Sequence, residues 1–314
     1  MSSARSVLLV GDVNVDLLIR LPQKEQGVKT LAGSEPRLAG GGTVANTAVG
    51  IARLGHHARL VAGVGADTYG RWEIDELRRE GVDVGGVLEL DGEFTVMVLP
   101  LIDADGERTI VVWPPEGGAH TQLRFEHVPA GVFEGVGWFH TSGMCLRSEP
   151  VRSTILSLME QAAHQDIPVS LDLNLRLELW GWDHGIHEFA WKAVRQADVV
   201  FASGEEELEP LTGVSGIPEA AHALRERGGV ATVIARAGRN GAYLCTESTT
   251  EHIPSANPPA PVVDTVGAGD AFNAGFIAAK MDGVGDSEAV RRGHEIAAYA
   301  VSGFGARHLP RVGQ

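Results

Sequence analysis

ADVVFASGEEELEPLTGVSGIPEAAHALRERGGVATVIA, residues 197–235, carries the pattern that decides the fold. Two short runs rich in Val and Ile, ADVVFA (197–202) and VATVIA (230–235), are bounded by turn residues and read as buried strands. Between them EAAHALRERGG (219–229) sets apolar residues at helical spacing and stops on glycine. The same alternation runs outward. SVLLV (6–10), RLVAGV (59–64), VGWFH (136–140) and IPVSLDL (167–173) read as strands. TVANTAVGIARLG (43–55), TYGRWEIDELRREG (68–81), EPVRSTILSLMEQAAH (149–164) and the segments after 184, 269 and 286 read as helices. Strand–helix alternation of this kind predicts an α/β fold whose mainly parallel central sheet is covered on both faces.

Two regions break the alternation. DLLIRLPQK (16–24) and EFTVMVLPLIDADGERTIVVW (93–113) carry no helix, and the second reads as a hairpin around DADGE (103–107). They predict a small sheet standing off the main one as a lid, from about 15–38 and 93–115, within one domain spanning 1–314.

Bulk properties agree with a chain that can bury a large core. The chain has 314 residues, 44% of them hydrophobic, and a mean hydropathy of +0.00. A net charge of −15 leaves no broad basic footprint for nucleic acid or an anionic membrane, though backbone N–H groups at a helix start can still hold a phosphate. Cys145 and Cys245 stand alone in their segments and read as reduced core thiols of a cytoplasmic protein. MSSARSVLLVGD reads as a leading strand rather than a signal peptide, and no run approaches the roughly 18 apolar residues of a membrane span.

Six stretches could carry chemistry. In DTVGAGDAFNAGF (264–276), Gly267, Ala268 and Gly269 let backbone N–H groups approach a ligand as a helix begins, so growing negative charge could be held there. Asp270 then reads either as a helix cap or as a base. In AGGGTVANTAVG (39–50), Gly41 and Gly42 allow backbone to lie against a ligand, and Asn46 offers a donor and an acceptor. In GDVNVDL (11–17), Asp12, Asn14 and Asp16 project to one side of an extended chain after a strand, where sugar hydroxyls would find them. In DLNLRLELW (172–180), Arg176 could clamp a carboxylate or phosphate or simply pair with Asp172 or Glu178. In SGEEELEPLTG (203–213), the glutamates read as a solvated first helical turn or as groups orienting hydrated Mg²⁺. RAGRNG (236–241) supplies a turn at Gly238 and Gly241 over which a nucleotide could lie, and His294 reads as a packed surface histidine.

Together these stretches resemble the ribokinase-like, or PfkB, family of carbohydrate kinases, in order and over nearly the whole chain. GGTVANTAVGIARLG and DTVGAGDAFNAGF are similar to that family's two signatures. The resemblance implies a three-layer α/β/α ribokinase-like fold and transfer of the ATP γ-phosphoryl to a sugar hydroxyl. It makes Asp270 the general base and Gly267, Ala268 and Gly269 the anion hole. Asp16, Gly41, Gly42 and Asn46 become sugar-binding positions, with Asp12 and Asn14 beside the sugar. Arg236 and Gly238, with Gly241 in the same turn, fall at the nucleotide-phosphate turn, and His294 falls on the adenine side. Glu207 matches the glutamate that organises Mg²⁺ through water, but the asparagine three residues before it in the family is Gly204 here. Asp264, with the VSGFGA loop (301–306), matches a monovalent-cation site that would take K⁺. DLNLRLELW resembles the D-x-N-x-R-x-x-L-W stretch of 2-keto-3-deoxygluconate kinases and fructokinases, whereas the lid strand ERTIVVWPPEGGAH resembles ribokinase lids. The implied substrate is a ketose, a keto-sugar acid or ribose. A nucleoside kinase, or a catalytically silent sugar-binding regulator, would share the fold. A homodimer through the lid sheet is the expected assembly.

Overall fold

The computed structural model describes residues 5–21, 35–102, 108–115, 117–177 and 181–312. The expected hairpin turn at 103–107, residues 22–34 of the expected lid and residues 178–180 lie outside them.

The chain opens with β1 (Ser6–Val10), β2 (Asn14–Arg20), β3 (Arg37–Gly41), α1 (Thr43–Arg53), β4 (Ala58–Gly65), α2 (Thr68–Arg79) and β5 (Asp83–Leu90). It continues with β6 (Val96–Ile102), β7 (Arg108–Trp113), β8 (Val136–Ser142), α3 (Val151–His164), β9 (Val169–Asp172) and α4 (His184–Val194). Then come β10 (Val199–Ser203), α5 (Glu209–Thr212), α6 (Ile217–Gly228), β11 (Thr232–Arg236), β12 (Ala242–Cys245), β13 (Thr250–Ile253), α7 (Ala268–Met281) and α8 (Asp286–Ala300).

The main sheet runs β13-β12-β11-β10-β9-β8-β1-β4-β5. Every pairing from β11 to β5 is parallel, and β12 and β13 add an antiparallel edge. The period-2 geometry of β1 shows why the sheet is covered twice. Leu8 and Val10 enter one apolar core with Phe139 and Ile155, while Val7 and Leu9 enter the other with Val49 and Phe276. Helices therefore lie on both faces, and the layers are α/β/α. A second sheet, β3-β2-β6-β7, stands apart from the first.

This topology places a site. The chain leaves β1 toward β4 and β5 on one side and later returns to β8 on the other, so the strand order reverses at β1. Ligands of open α/β sheets bind outside the carboxyl ends of strands at such a point. Helix α7 is seated over this end of the sheet by Phe201 of β10. Its ring meets Phe276 edge-on at 5.2 Å and Phe272 at 6.2 Å.

Four strands escaped the sequence pattern. RLAGG of β3 runs into the glycine-rich turn, DVGGVLEL of β5 hides behind two glycines, and β12 and β13 are four-residue strands at the edge. Cys145 and Cys245 are buried free thiols, as read. Among the described residues no helix is long and apolar enough to cross a membrane.

Candidate active site

Asp270 sits in the first turn of α7, but it does not cap it. The N-cap is Gly267, and no side chain bonds the turn's N–H groups. Gly267 adopts φ +76°, and a Cβ there would lie 2.6 Å from the Ala306 Cα, so this corner admits only glycine. The Ala268 N–H makes a long 3.3 Å bond to the Thr265 carbonyl. The half-buried Asp270 carboxylate instead accepts a hydrogen bond from Asn46 Nδ2 at 2.9 Å. Burial pushes its pKa up to about 8; the Asn46 bond and the Arg176 charge oppose the rise, and the nearby Asp172 and Asp12 add to it.

The alternating trio at 12–16 is divided by the structure. Both Asp12 oxygens turn to the start of α1, accepting from the Thr43 N–H at 2.7 Å and the Val44 N–H at 3.3 Å. A buried carboxylate at a helix N-terminus is stabilised by the helix dipole. Asp12 thus fixes α1 and its Asn46 rather than lying open beside a ligand. Asn14 Nδ2 donates to Asp16 Oδ1 at 2.7 Å on β2, opposite Gly41 of β3, where a Cβ would come within 2.6 Å of that Asp16 oxygen. Burial raises the Asp16 pKa to about 6 against the pull of Arg307. Gly42, at φ +95°, turns the chain from the small sheet into α1.

Asn174 and Arg176 hold left-handed backbone, φ +31° and +49°. That conformation is uncommon away from glycine and collects at functional sites. Asn174 Nδ2 donates to Thr43 Oγ1 at 2.7 Å, tying the DLNLR segment to α1. The exposed Arg176 guanidinium lies near enough to lower the Asp270 pKa.

Beneath the start of α7 lies a buried polar cluster. Arg236 Nη2 and Nη1 donate to the two Asp172 oxygens at 2.7 and 3.1 Å, and Asn273 Nδ2 donates to Asp172 at 2.6 Å. A Cβ added to Gly269 would lie 2.8 Å from Arg236 Nη1. The expectation for Arg236 was a nucleotide-phosphate turn. The guanidinium instead grips Asp172 in a fork, directly below the Gly269 backbone.

Glu207 is buried, not a solvated first-turn residue. Its oxygens accept from the Leu175 and Ser203 N–H groups, both at 2.7 Å. Burial and Asp172 raise its pKa to about 7. Gly204 has a packing reason: a Cβ there would meet three Ile217 atoms at 2.7 Å, so Ile217 fills the space of the expected asparagine. Gly238 and Gly241 turn β11 into antiparallel β12. His294 is buried edge-on against Phe272 at 5.0 Å, not at the surface, and burial lowers its pKa. Asp264 accepts from the Val266 and Gly305 N–H groups at 3.0 and 3.2 Å, which closes the 301–306 loop beside Gly267.

Arg307 escaped the sequence reading. Its Nε donates to Asn46 Oδ1 at 3.0 Å, its Nη2 to the Gly41 carbonyl at 3.1 Å and to Glu73 at 2.5 Å, and its Nη1 to Glu76. One signal pointed there. Glu73 shares the buried stripe of α2 with Gly70, Ile74 and Leu77, and a carboxylate in an apolar stripe needs a cation.

Comparison with known proteins places these features in context. Residues 4–311 match the pfkB family carbohydrate kinase. The aminoimidazole riboside kinase of Salmonella typhimurium is 33% identical over 280 residues, which cover 88% of this chain and 81% of that protein. The fructokinase of Klebsiella pneumoniae is 32% identical, covering 87% and 83%. A double-mutant fructokinase of Vibrio cholerae, solved with fructose, ADP and potassium ion bound, superposes with a TM-score of 0.79 at 27% identity, covering 99% and 96%.

Proposed function

The chain belongs to the pfkB family of carbohydrate kinases and is a phosphotransferase acting on a sugar hydroxyl; from that premise we propose that it passes the ATP γ-phosphoryl to a ketose or keto-sugar acid with Asp270 as general base. One observation carries this reading. The Asn46–Asp270 hydrogen bond joins the two glycine-rich segments, 224 residues apart, at the strand-order reversal. The sugar lies between β2, β3 and α1 on one side and α7 on the other, facing Asp16, Asn14, Gly41, Gly42 and Asn46. Asp270 takes the hydroxyl proton as the oxygen attacks. The Gly267–Gly269 backbone and the dipole of α7 stabilise the charge on the phosphoryl oxygens. The small sheet acts as a lid that excludes water.

ATP lies over the Gly238–Gly241 turn toward His294. Phosphates and water supply most magnesium ligands in such kinases, so no cage of carboxylates is required. Both Glu207 oxygens already accept backbone N–H bonds, which fits an outer role through water and not direct ligation. Magnesium neutralises phosphate charge when bound. Asp264 and the 301–306 loop are the K⁺ position; the related fructokinase has a potassium ion bound.

Arg176 beside the base supports an acidic or phosphorylated end on the substrate, while the fructokinase relatives support a neutral ketose. The aminoimidazole riboside kinase similarity supports a riboside as second reading. ADP release across fructose, 2-keto-3-deoxygluconate, ribose, adenosine and aminoimidazole riboside decides among them. Turnover is expected with a ketose or keto-sugar acid. Thermal stabilisation by a sugar without turnover on any would instead make the protein a silent binder.

Val111 and Trp113 are exposed on one face of β7, Ile110 is exposed on the other, and Phe94 is exposed just before β6. We read the Val111–Trp113 face of the small sheet as the seat of a homodimer. Gel filtration at twice the chain's 33.3 kDa is expected, and a monomer mass at micromolar concentration would sink the idea.

A further inference from the structure

Arginine can only donate hydrogen bonds. The Asn46 atom facing Arg307 Nε must therefore be the amide oxygen, and the planar amide then turns its NH₂ the other way, onto Asp270 Oδ2. The orientation of Asn46 follows from the identity of its neighbour, not from the shape of its pocket.

Arg307 is itself held on several sides. Its side chain is 8% exposed, it pairs with Glu73, which is fully buried, and with Glu76, and it also bonds the Gly41 carbonyl at the end of β3. Its backbone is held too, since Arg53 Nη1 donates to the Arg307 carbonyl at 2.7 Å and the Leu309 carbonyl at 3.1 Å. One side chain thus joins α1, α2, the small sheet and the C-terminal segment.

We propose that Arg307 is a positioning residue for phosphoryl transfer: anchored on Glu73 and Glu76, it locks the Asn46 amide so that its NH₂ supports the ionised Asp270. The role rests on Asp270 being the base. A flipped Asn46 would aim its oxygen at the carboxylate, and two acceptors can face each other only if Asp270 holds a proton. Losing the lock therefore raises the pH at which the base ionises. The charged groups around Asp270 are Asp12, Asp172, Arg176 and Arg236, and those around Arg307 are Glu73, Glu76, Asp16 and Glu80. Arg307→Lys keeps the charge that all of these meet but gives up the planar five-donor fork, so one ammonium cannot serve Asn46, the Gly41 carbonyl, Glu73 and Glu76 together; the Asn46→Ala background isolates the share that runs through Asn46.

The test is the pH profile of kcat/KM for the sugar, in wild type, Arg307→Lys, Asn46→Ala and the double variant. In Arg307→Lys the acid limb should move up by about one pH unit, the size of one charge-assisted hydrogen bond, and kcat/KM at neutral pH should fall about tenfold. In the Asn46→Ala background Arg307→Lys should add nothing, because its route is gone. An unmoved limb, or an equal loss in both backgrounds, overturns the proposal. If Arg307→Lys does not fold, Arg307→Met with Glu73→Gln and Glu76→Gln removes the buried cation with both of its carboxylates, and the difference between this change in the wild-type and Asn46→Ala backgrounds is the readout. Asp270→Asn separates the two failures. If that variant turns over normally, the base assignment fails; if it is inactive and the limb has not moved, only the Arg307 role fails.

Discussion

Asp270→Asn should fold normally and lose phosphotransfer by about 10²–10⁴-fold, the usual contribution of a positioned base. The substitution is mild for the fold. An amide oxygen can still accept from Asn46, and the cost of a buried negative charge disappears. Sugar and nucleotide should therefore still raise the melting temperature of the variant. The wild-type pH profile carries the same claim. A base must be ionised, and the folded-state pKa of Asp270 is raised to about 8, so kcat/KM is full above that pH and falls about tenfold per unit below it. Asp16, raised to about 6, adds a second proton and a steeper fall beneath that value. The residual activity of Asp270→Asn should lack the upper of these two steps. Turnover near wild type, or an unchanged profile, would remove Asp270 from the mechanism.

Much of this site was legible because its parts are local. A strand is a short Val- and Ile-rich run, and a backbone anion hole needs small residues at consecutive positions, so 6–10, 199–203 and 267–269 stand out in one dimension. What stayed hidden is pairing between distant segments. Asp12 looked like a ligand because it alternates with Asn14 and Asp16, but only the fold brings the start of α1 to it across 31 positions. Gly204 looked like a lost magnesium residue, and its reason is the side chain of Ile217, which no motif contains. Arg307 lies 261 positions from Asn46 in the C-terminal segment, where nothing periodic marks it. Its one trace in the sequence is indirect: Glu73 in the apolar stripe of α2, a charge that had to be answered somewhere.

Arg236 is where the sequence expectation and the geometry part most clearly, and Arg236→Met decides between them. A phosphate ligand at a turn could be removed with little effect on stability. The fork on Asp172 predicts the opposite. Asp172 is 3% exposed, and without the guanidinium its carboxylate keeps only the Asn273 donor, in a neighbourhood that already holds Glu207 and Asp270. Leaving one partner of a buried pair costs about 3–5 kcal/mol, which a urea midpoint measures directly. Asp172→Asn in the same background removes the buried charge and should recover part of the loss, making the two substitutions strongly non-additive. A variant of wild-type stability whose only defect is a raised KM for ATP would return Arg236 to the nucleotide. Its Nη1 lies directly beneath Gly269, so some loss of kcat is expected beside the loss of stability, as the first turn of α7 settles into the vacated space.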